Sequence, residues 1–410
     1  MRGQDRARYT LQPLSRARMV SLLAALISAI LSGSASAQDT RTAEIAARQS
    51  EKAAAAAPYR PSRFETTMQR LEESFASPPN GFFPELGSIY AGGGFTLGAG
   101  YRHFYGRDAV WDVRGLYSVR NYKQVEVGTR TPWDGSGKWS FGARAGWRDA
   151  PQVGYFGPGM QDETVRANFH LTQSYAAFTA GLRPGRWIRL EGEVGYDDFE
   201  TDPGRGRYPS IETIYDPATA PGLFAAPSFL RTEATAAIDW RTSPGYSRKG
   251  GFYGVTLANY ADRDDTYSFR RVDGELIQHL PILRENWVIS LRGRVQTTLD
   301  EDDNVPYFLL PQLGSGRTLR GYETGRFRDF HSILTSAEFR WIPSRLALDM
   351  ALFYDAGKVT RRRADLDFNG FKSDYGIGAR FHGPTTTVLR IEGARGSEGW
   401  RLVIATSAAF

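Results

Sequence analysis

From Trp187 to Tyr196 the chain reads W-I-R-L-E-G-E-V-G-Y, with Ile188, Leu190, Val194 and Tyr196 at one parity and Arg189, Glu191 and Glu193 at the other. Side chains of a β-strand alternate between its two faces, so such a strand is apolar on one side and charged on the other. The split recurs at Trp139, Phe141, Ala143, Ala145 and Trp147 against Ser140, Arg144 and Arg148. It recurs at Leu230, Ala234, Ala236, Ile238 and Trp240 against Arg231, Glu233 and Asp239, and at Trp287, Ile289, Leu291 and Val295 against Ser290, Arg292, Arg294 and Gln296. A soluble sandwich would turn the apolar faces inward, and a membrane barrel would turn them outward around a wet interior. The position of Trp139, Trp147, Trp240, Trp287 and Trp341 near strand ends, and the terminal Phe410, favour the barrel, whose interfaces carry aromatic girdles. In lipid such a sheet has to close, because unpaired edge groups cost several kcal/mol each.

The N-terminus carries Arg2, Arg6, Arg8, Arg16 and Arg18, then the apolar run Met19 to Leu31, then Ala35-Ser36-Ala37. This is the pattern of a secretory signal peptide cleaved after Ala37. The run is shorter than the ~20 residues of a spanning helix. Residues 1–37 hold five arginines and one aspartate, so the remaining chain has a formal charge of +2 instead of +6. That leaves no electrostatic footprint for nucleic acid. Cysteine is absent, so export brings no disulfide support.

Strands are predicted near 90–104, 109–120, 122–131, 137–149, 163–173, 174–183, 186–198, 227–242, 250–262, 266–280, 285–299, 330–342, 346–357, 372–382, 385–395 and 399–410, sixteen in all. With the first strand starting in the periplasm, loops after odd-numbered strands face outward, and these are the long ones in outer-membrane barrels. The connections 199–226 and 300–329 obey this, whereas 150–162 stands as a long exception on the other side.

Three segments carry a family resemblance: Gly314-Ser315-Gly316-Arg317-Thr318-Leu319-Arg320-Gly321-Tyr322, Ser336-Ala337-Glu338-Phe339-Arg340 and Leu352-Phe353-Tyr354-Asp355-Ala356-Gly357. They resemble the C-terminal part of the BamA/TamA-type outer-membrane barrel superfamily, also called the bacterial surface antigen family. Tyr155-Phe156-Gly157-Pro158-Gly159 resembles an aromatic-Gly-x-Gly element of the same barrels. The resemblance implies an all-β fold: a 16-stranded antiparallel transmembrane β-barrel in the bacterial outer membrane, with a short helical N-terminal segment and a long sixth extracellular loop folded into the lumen. It implies that the Arg-Gly-aromatic tip docks on acidic and aromatic residues of the twelfth and thirteenth strands. Alternation turns Ser336, Glu338 and Arg340 inward, and likewise Asp349, Ala351, Phe353 and Asp355, leaving Leu352 and Tyr354 for lipid. The expected loop lock is therefore Arg320, Gly321 and Tyr322 against Glu338, Phe353, Asp355 and Gly357, with charge-assisted and bidentate hydrogen bonds from the guanidinium. Trp400, Leu402, Ile404 and Phe410 are expected to form the barrel seam and the C-terminal assembly signal.

Ahead of the predicted barrel (86–410) the resemblance calls for POTRA modules of ~75 residues, but 38–85 reads as helix formers at Thr40 to Ala57 and Arg63 to Phe75, with no strand. A POTRA-lacking member is expected, its segment either a periplasmic tail or a helix plugging the pore. No G-x-S-x-G elbow or H-E-x-x-H helix appears, so no enzyme and no cofactor are expected. His103, His170, His279, His331 and His382 show no metal-ligand spacing. Gly92-Gly93-Gly94 falls in the predicted first strand, and Asp300 to Asn304 reads as a solvated acidic loop. The expected partners are outer-membrane phospholipid and lipopolysaccharide, with unfolded outer-membrane clients or an exported partner. Three functions stay open: outer-membrane protein assembly or export, a passive channel or surface antigen, and a lipid-modifying enzyme.

Overall fold

The alternation read above becomes strand after strand in the computed structural model. It describes residues 80–410, apart from 107, 134–135, 163, 283–284, 301–304, 344–346 and 384, together with Ala47, Arg48, Ser50, Glu51 and Thr66. The strands are β1 (Gly81–Gly87), β2 (Thr96–Tyr105), β3 (Ala109–Ser118), β4 (Lys123–Arg130), β5 (Trp139–Tyr155), β6 (Ala167–Leu182), β7 (Ile188–Pro203), β8 (Ser228–Asp239) and β9 (Gly250–Asp262). They continue with β10 (Phe269–Ile282), β11 (Trp287–Thr298), β12 (Gln312–Leu313), β13 (Phe327–Arg328), β14 (His331–Trp341), β15 (Leu348–Thr360), β16 (Lys372–His382), β17 (Thr387–Gly396) and β18 (Gly399–Ala405). Sixteen form one antiparallel sheet in chain order, and β12 with β13 forms a small ribbon inside the connection between β11 and β14. No helix among the described residues is long and apolar enough to cross a membrane.

The count of sixteen agrees with the sequence reading through two errors that offset each other. Strand β1 was missed, in a segment read as strandless, because Pro84 interrupts it. Proline is tolerated there because β1 pairs only with β2, as an edge strand. In turn β6 was divided at Gln173 and Ser174, although it is one strand of 16 residues that pairs with both neighbours through that point. With β1 and β6 restored, the connection 156–166 lies on the same side as 204–227 and 299–330, and the long exception disappears. Gly92, Gly93 and Gly94 lie in the β1–β2 connection, not in a strand, with positive φ at Gly92 and Gly94.

The faces follow parity. Leu352 and Tyr354 are about half exposed, whereas Asp349, Ala351, Phe353 and Asp355 are buried. At the end with the short turns, Trp139 and Trp341 stay exposed and Trp287 stacks on Trp341, with Trp240 closing β8. Trp147 belongs to the middle of β5 rather than to a strand end.

The buried face is not uniformly polar. Toward the long-loop end it changes to aromatic side chains: Phe169, Phe199, Phe229, Tyr260 and Phe269 from the strands pack with Val305, Tyr307, Phe308 and Leu310 of the long connection. At the short-turn end, the β8–β9 connection reaches across to the β16–β17 turn. Gly245 forms a parallel bridge with Thr386, and Tyr246 donates to Asp349 Oδ2 at 2.6 Å while stacking on His382. After β18 the chain turns onto the same face: Phe410 stacks on His279 and lies 5.9 Å from the Arg292 guanidinium.

Strands β1 and β18 end the strand order and do not pair. A cavity of about 280 Å³ is lined by Phe83 to Leu86 of β1, by Thr387 and Val388 of β17 and by Thr406, just beyond β18.

The described N-terminal residues Ala47, Arg48, Ser50, Glu51 and Thr66 are helical. The signal-peptide segment 1–37 and most of 38–79 lie outside the described residues.

Candidate functional site

Two glycines shape the tip of the long connection. Gly325 N–H donates to Gly314 O at 2.8 Å, which closes residues 314–325 above the β12–β13 ribbon. Leu313, Leu319, Tyr322 and Phe327 gather beneath this turn with Leu334 of β14 and Val359 of β15. The apolar residues of the tip thus seat it on the sheet, and Arg320 is carried down with them.

Arg320 is 2% exposed. Its Nε donates to Asp355 Oδ2 at 2.7 Å and its Nη2 to Oδ1 at 3.0 Å, a bidentate pair. Its Nη1 reaches Glu338 Oε2 at 3.3 Å and Glu392 Oε1 at 3.2 Å, and the guanidinium lies 3.4 Å from the Phe353 ring centroid. Four hydrogen bonds from this planar cation are thereby directed at three carboxylates while its face lies against a ring, an arrangement that a lysine could not reproduce.

The acids are shared with further arginines. Arg380 binds Glu338 through both terminal nitrogens and donates to Glu392 Oε1 at 3.0 Å. Arg390 donates to Glu392 Oε2 at 2.7 Å and to Gly316 O of the tip at 2.6 Å. Arg340 stands 3.8 Å from Glu338, and Asp374 is the register partner of Asp355. Four arginines and four carboxylates, all buried, make the cluster formally neutral. Neutrality matters because an uncompensated charge in such a place costs several kcal/mol.

The glycines make room. A Cβ on Gly321 would lie 2.6 Å from both Asp374 Cβ and Gly396 N, so only glycine permits this approach of the loop backbone to β16 and β17. A Cβ on Gly357 would lie 2.6 Å from Ile333 O and 3.0 Å from Leu313 of the ribbon. Tyr322 is 2% exposed, with its hydroxyl 3.2 Å from Ser373 O and 3.1 Å from Ser397 Oγ.

The tip also spans the sheet. Arg292 of β11 donates to Arg317 O at 2.7 Å, while Arg390 of β17 holds Gly316 O. The aromatic-Gly-x-Gly element clamps the base of the ribbon: Gly159 N–H donates to Arg328 O at 2.8 Å, and Arg326 reaches Gln161 O and Asp162 O.

The structure therefore brings Arg320, Gly321, Tyr322, Glu338, Phe353, Asp355 and Gly357 into one place. Sequence reasoning missed Glu392, Arg380, Arg390 and Asp374, although the parity argument used on β14 and β15 would have turned them inward on β16 and β17. Of the expected seam residues, Trp400, Leu402 and Ile404 are exposed, at 62%, 69% and 58%. Phe410 departs from them: it lies beyond the last strand and turns to the buried face, where His279 and Arg292 offer a flat ring and a cation. Asp300 pairs with Arg270 and is not simply solvated.

Comparisons with known proteins agree with this geometry. The Omp85 superfamily domain matches residues 104–394. No curated protein matches the sequence. Among solved structures, BamA from Haemophilus ducreyi lacking POTRA domains 1-3 is similar at 14% identity and a TM-score of 0.58, over 80% of this chain and 69% of that one. CdiB from Escherichia coli is similar at 11% identity and a TM-score of 0.51, over 80% of this chain and 60% of that one. At such identities the structural likeness is one of fold.

Proposed function

From its membership of the Omp85 superfamily of outer-membrane β-barrel proteins, we propose that this chain acts in outer-membrane protein assembly, with the gap between β1 and β18 as its working edge. One observation carries this reading: the two terminal strands, β1 and β18, do not pair. A barrel serving only as a passive pore has every reason to close, since free edge groups in lipid are costly. Free edges are instead suited to lending hydrogen bonds to an incoming strand by β-augmentation. β1 is short and contains Pro84, so it contributes few donors and makes a weak partner for β18.

The lock supports the same reading. Arg320 and its acids hold the long loop inside the curled sheet, beside strands β14 to β17 and close to the seam. The loop then fills the lumen, which argues against an open channel. The outward band around Trp400, Leu402 and Ile404 meets membrane lipid, phospholipid on one leaflet and lipopolysaccharide on the other. Residues 1–37 act as the export signal.

The test is depletion of the protein followed by measurement of the outer-membrane proteome, with rescue by a variant carrying one cysteine in β1 and one in β18. The native chain contains no cysteine, so the added pair alone reports on the seam. Assembly predicts broad loss of barrel proteins, rescue only under reducing conditions, and no rescue when the seam is cross-linked. Loss of one exported protein alone would move the assignment to export. No change in the proteome would reject both in favour of a passive barrel.

A further inference from the structure

A cavity of about 320 Å³ opens at the long-loop end of the sheet, away from the Arg320 cluster. Its charged lining consists of Arg120, Arg166, Arg207, Arg328, Arg401 and Glu323, drawn from the connections after β3, β5, β7 and β11 and from β13 and β18. Five arginines against one carboxylate is a lining of one dominant sign, unlike the balanced cluster below it. Concave sites of this kind focus the field and raise the local concentration of the opposite charge.

Glu323 is already committed, to Arg166 in a short contact and to Arg401 at 3.5 Å. The other three cations meet only neutral acceptors among the described residues. Arg120 donates to Gly92 O at 2.8 Å, and Arg207 donates to the Tyr208 hydroxyl. Arg328, 1% exposed, donates to Tyr307 O at 3.1 Å and Gln312 Oε1 at 2.7 Å, and its Nε has no hydrogen-bond partner. A buried guanidinium without a carboxylate is costly, and an anion in the cavity would offset that cost. The side chains are also held in place: Arg166 lies 4.1 Å over the Tyr208 ring and Arg207 4.7 Å from it. Planar, pre-positioned guanidinium forks match the tetrahedral oxygens of a phosphoryl group, and the volume falls at the lower end of small-ligand sites, about 300 Å³ upward.

We propose that this cavity is a binding site for a phosphate-bearing ligand, either the phosphorylated headgroup of an outer-leaflet glycolipid or a soluble phosphate ester. The proposal is independent of the assembly role and stands on the lining alone. Its test is isothermal titration of the full chain with inorganic pyrophosphate in phosphatidylcholine nanodiscs at low ionic strength. We expect saturable binding with a Kd below about 1 mM that weakens steeply with added salt. Arg120→Gln combined with Arg207→Gln, both at exposed loop positions, is expected to weaken binding at least about tenfold. Glu323→Gln removes the competing carboxylate and is expected to tighten it. Repeating the titration in nanodiscs containing lipopolysaccharide separates the sources: a raised apparent Kd assigns the site to glycolipid phosphate, and an unchanged one assigns it to a soluble ester. Absence of saturable binding to about 10 mM pyrophosphate, or a Kd that neither variant moves, overturns the proposal.

Discussion

The connection between β11 and β14 is held at two places by opposite chemistries. Its first limb, Val305 to Leu310, is packed among Phe169, Phe199, Phe229 and Phe269, with Tyr307 edge-on to Phe169 at 4.8 Å and Phe308 tilted on Phe199 at 5.3 Å. Its tip is held by Arg320 among carboxylates. The aromatic anchor draws on area removed from water, is non-directional, and tolerates rings of similar volume. The ionic anchor works only when every partner is present, because each remaining charge is stranded when one goes. The limb can therefore be repacked without leaving its place, whereas the tip has one docked arrangement and fails abruptly.

The sharpest way to break that contrast is Arg320→Ala. It should cost about 3–5 kcal/mol, seen as protease cleavage within 314–325 and loss of heat-resistant migration on gels. Unchanged cleavage and migration would remove the ionic anchor from the account. Replacing Arg320 by Met and Asp355 by Leu together should cost less than Arg320→Ala alone, since the bidentate carboxylate goes with the cation while Glu338 and Glu392 keep Arg380 and Arg390 as partners.

Asp329 offers the next test, as a carboxylate placed on the aromatic side. It is 5% exposed, adjoins Phe330 of the aromatic cluster and accepts the Phe330 N–H. Burial lifts its pKa to about 6, partly opposed by that N–H and by Arg361. The folded value is above the unfolded one, near 4, so this group's contribution to stability is fully present below about pH 4. It is lost as pH rises through about 6. Asp329→Asn should abolish that slope and stabilise the protein at pH 8 by up to about 3 kcal/mol, measured as unfolding midpoints across pH. A slope unchanged in the Asn variant would assign the pH dependence elsewhere.

Phe353→Leu keeps an apolar side chain beside Arg320 but removes the ring, and should weaken the tip by about 0.5–2 kcal/mol in the same protease assay. Phe308→Leu on the aromatic limb should cost about 1 kcal/mol and leave tip cleavage unaltered. Equal effects of these two leucine substitutions on the tip would show that limb and tip behave as one unit.

Much of the ionic anchor was legible because parity is readable from a strand without its neighbours. Glu338 and Asp355 announce their inward side through Ala337, Phe339, Leu352 and Tyr354 at the opposite parity. Glu392 and Arg380 obey the same rule, but their part in the site depends on where β16 and β17 stand beside β15, which no single strand reveals. The inward aromatic belt was unreadable for a related reason: Phe169 and Phe229 look lipid-facing until the loop that covers them is in place. Strand β1 escaped because Pro84 reads as a breaker, and only its place at the sheet edge makes it harmless.

Taken alone, the sequence determined that this chain forms alternating membrane strands and carries a loop whose Arg320-Gly321-Tyr322 tip seeks inward acids. Alternation is a property of the extended backbone itself, local and insensitive to context. Only the tertiary structure decided that Arg320 meets three carboxylates from β14, β15 and β17, that Phe410 turns inward, and that β1 and β18 are left unpaired. Those outcomes depend on register, curvature and loop burial, which bring together residues up to hundreds of positions apart and are set by packing rather than by any one segment.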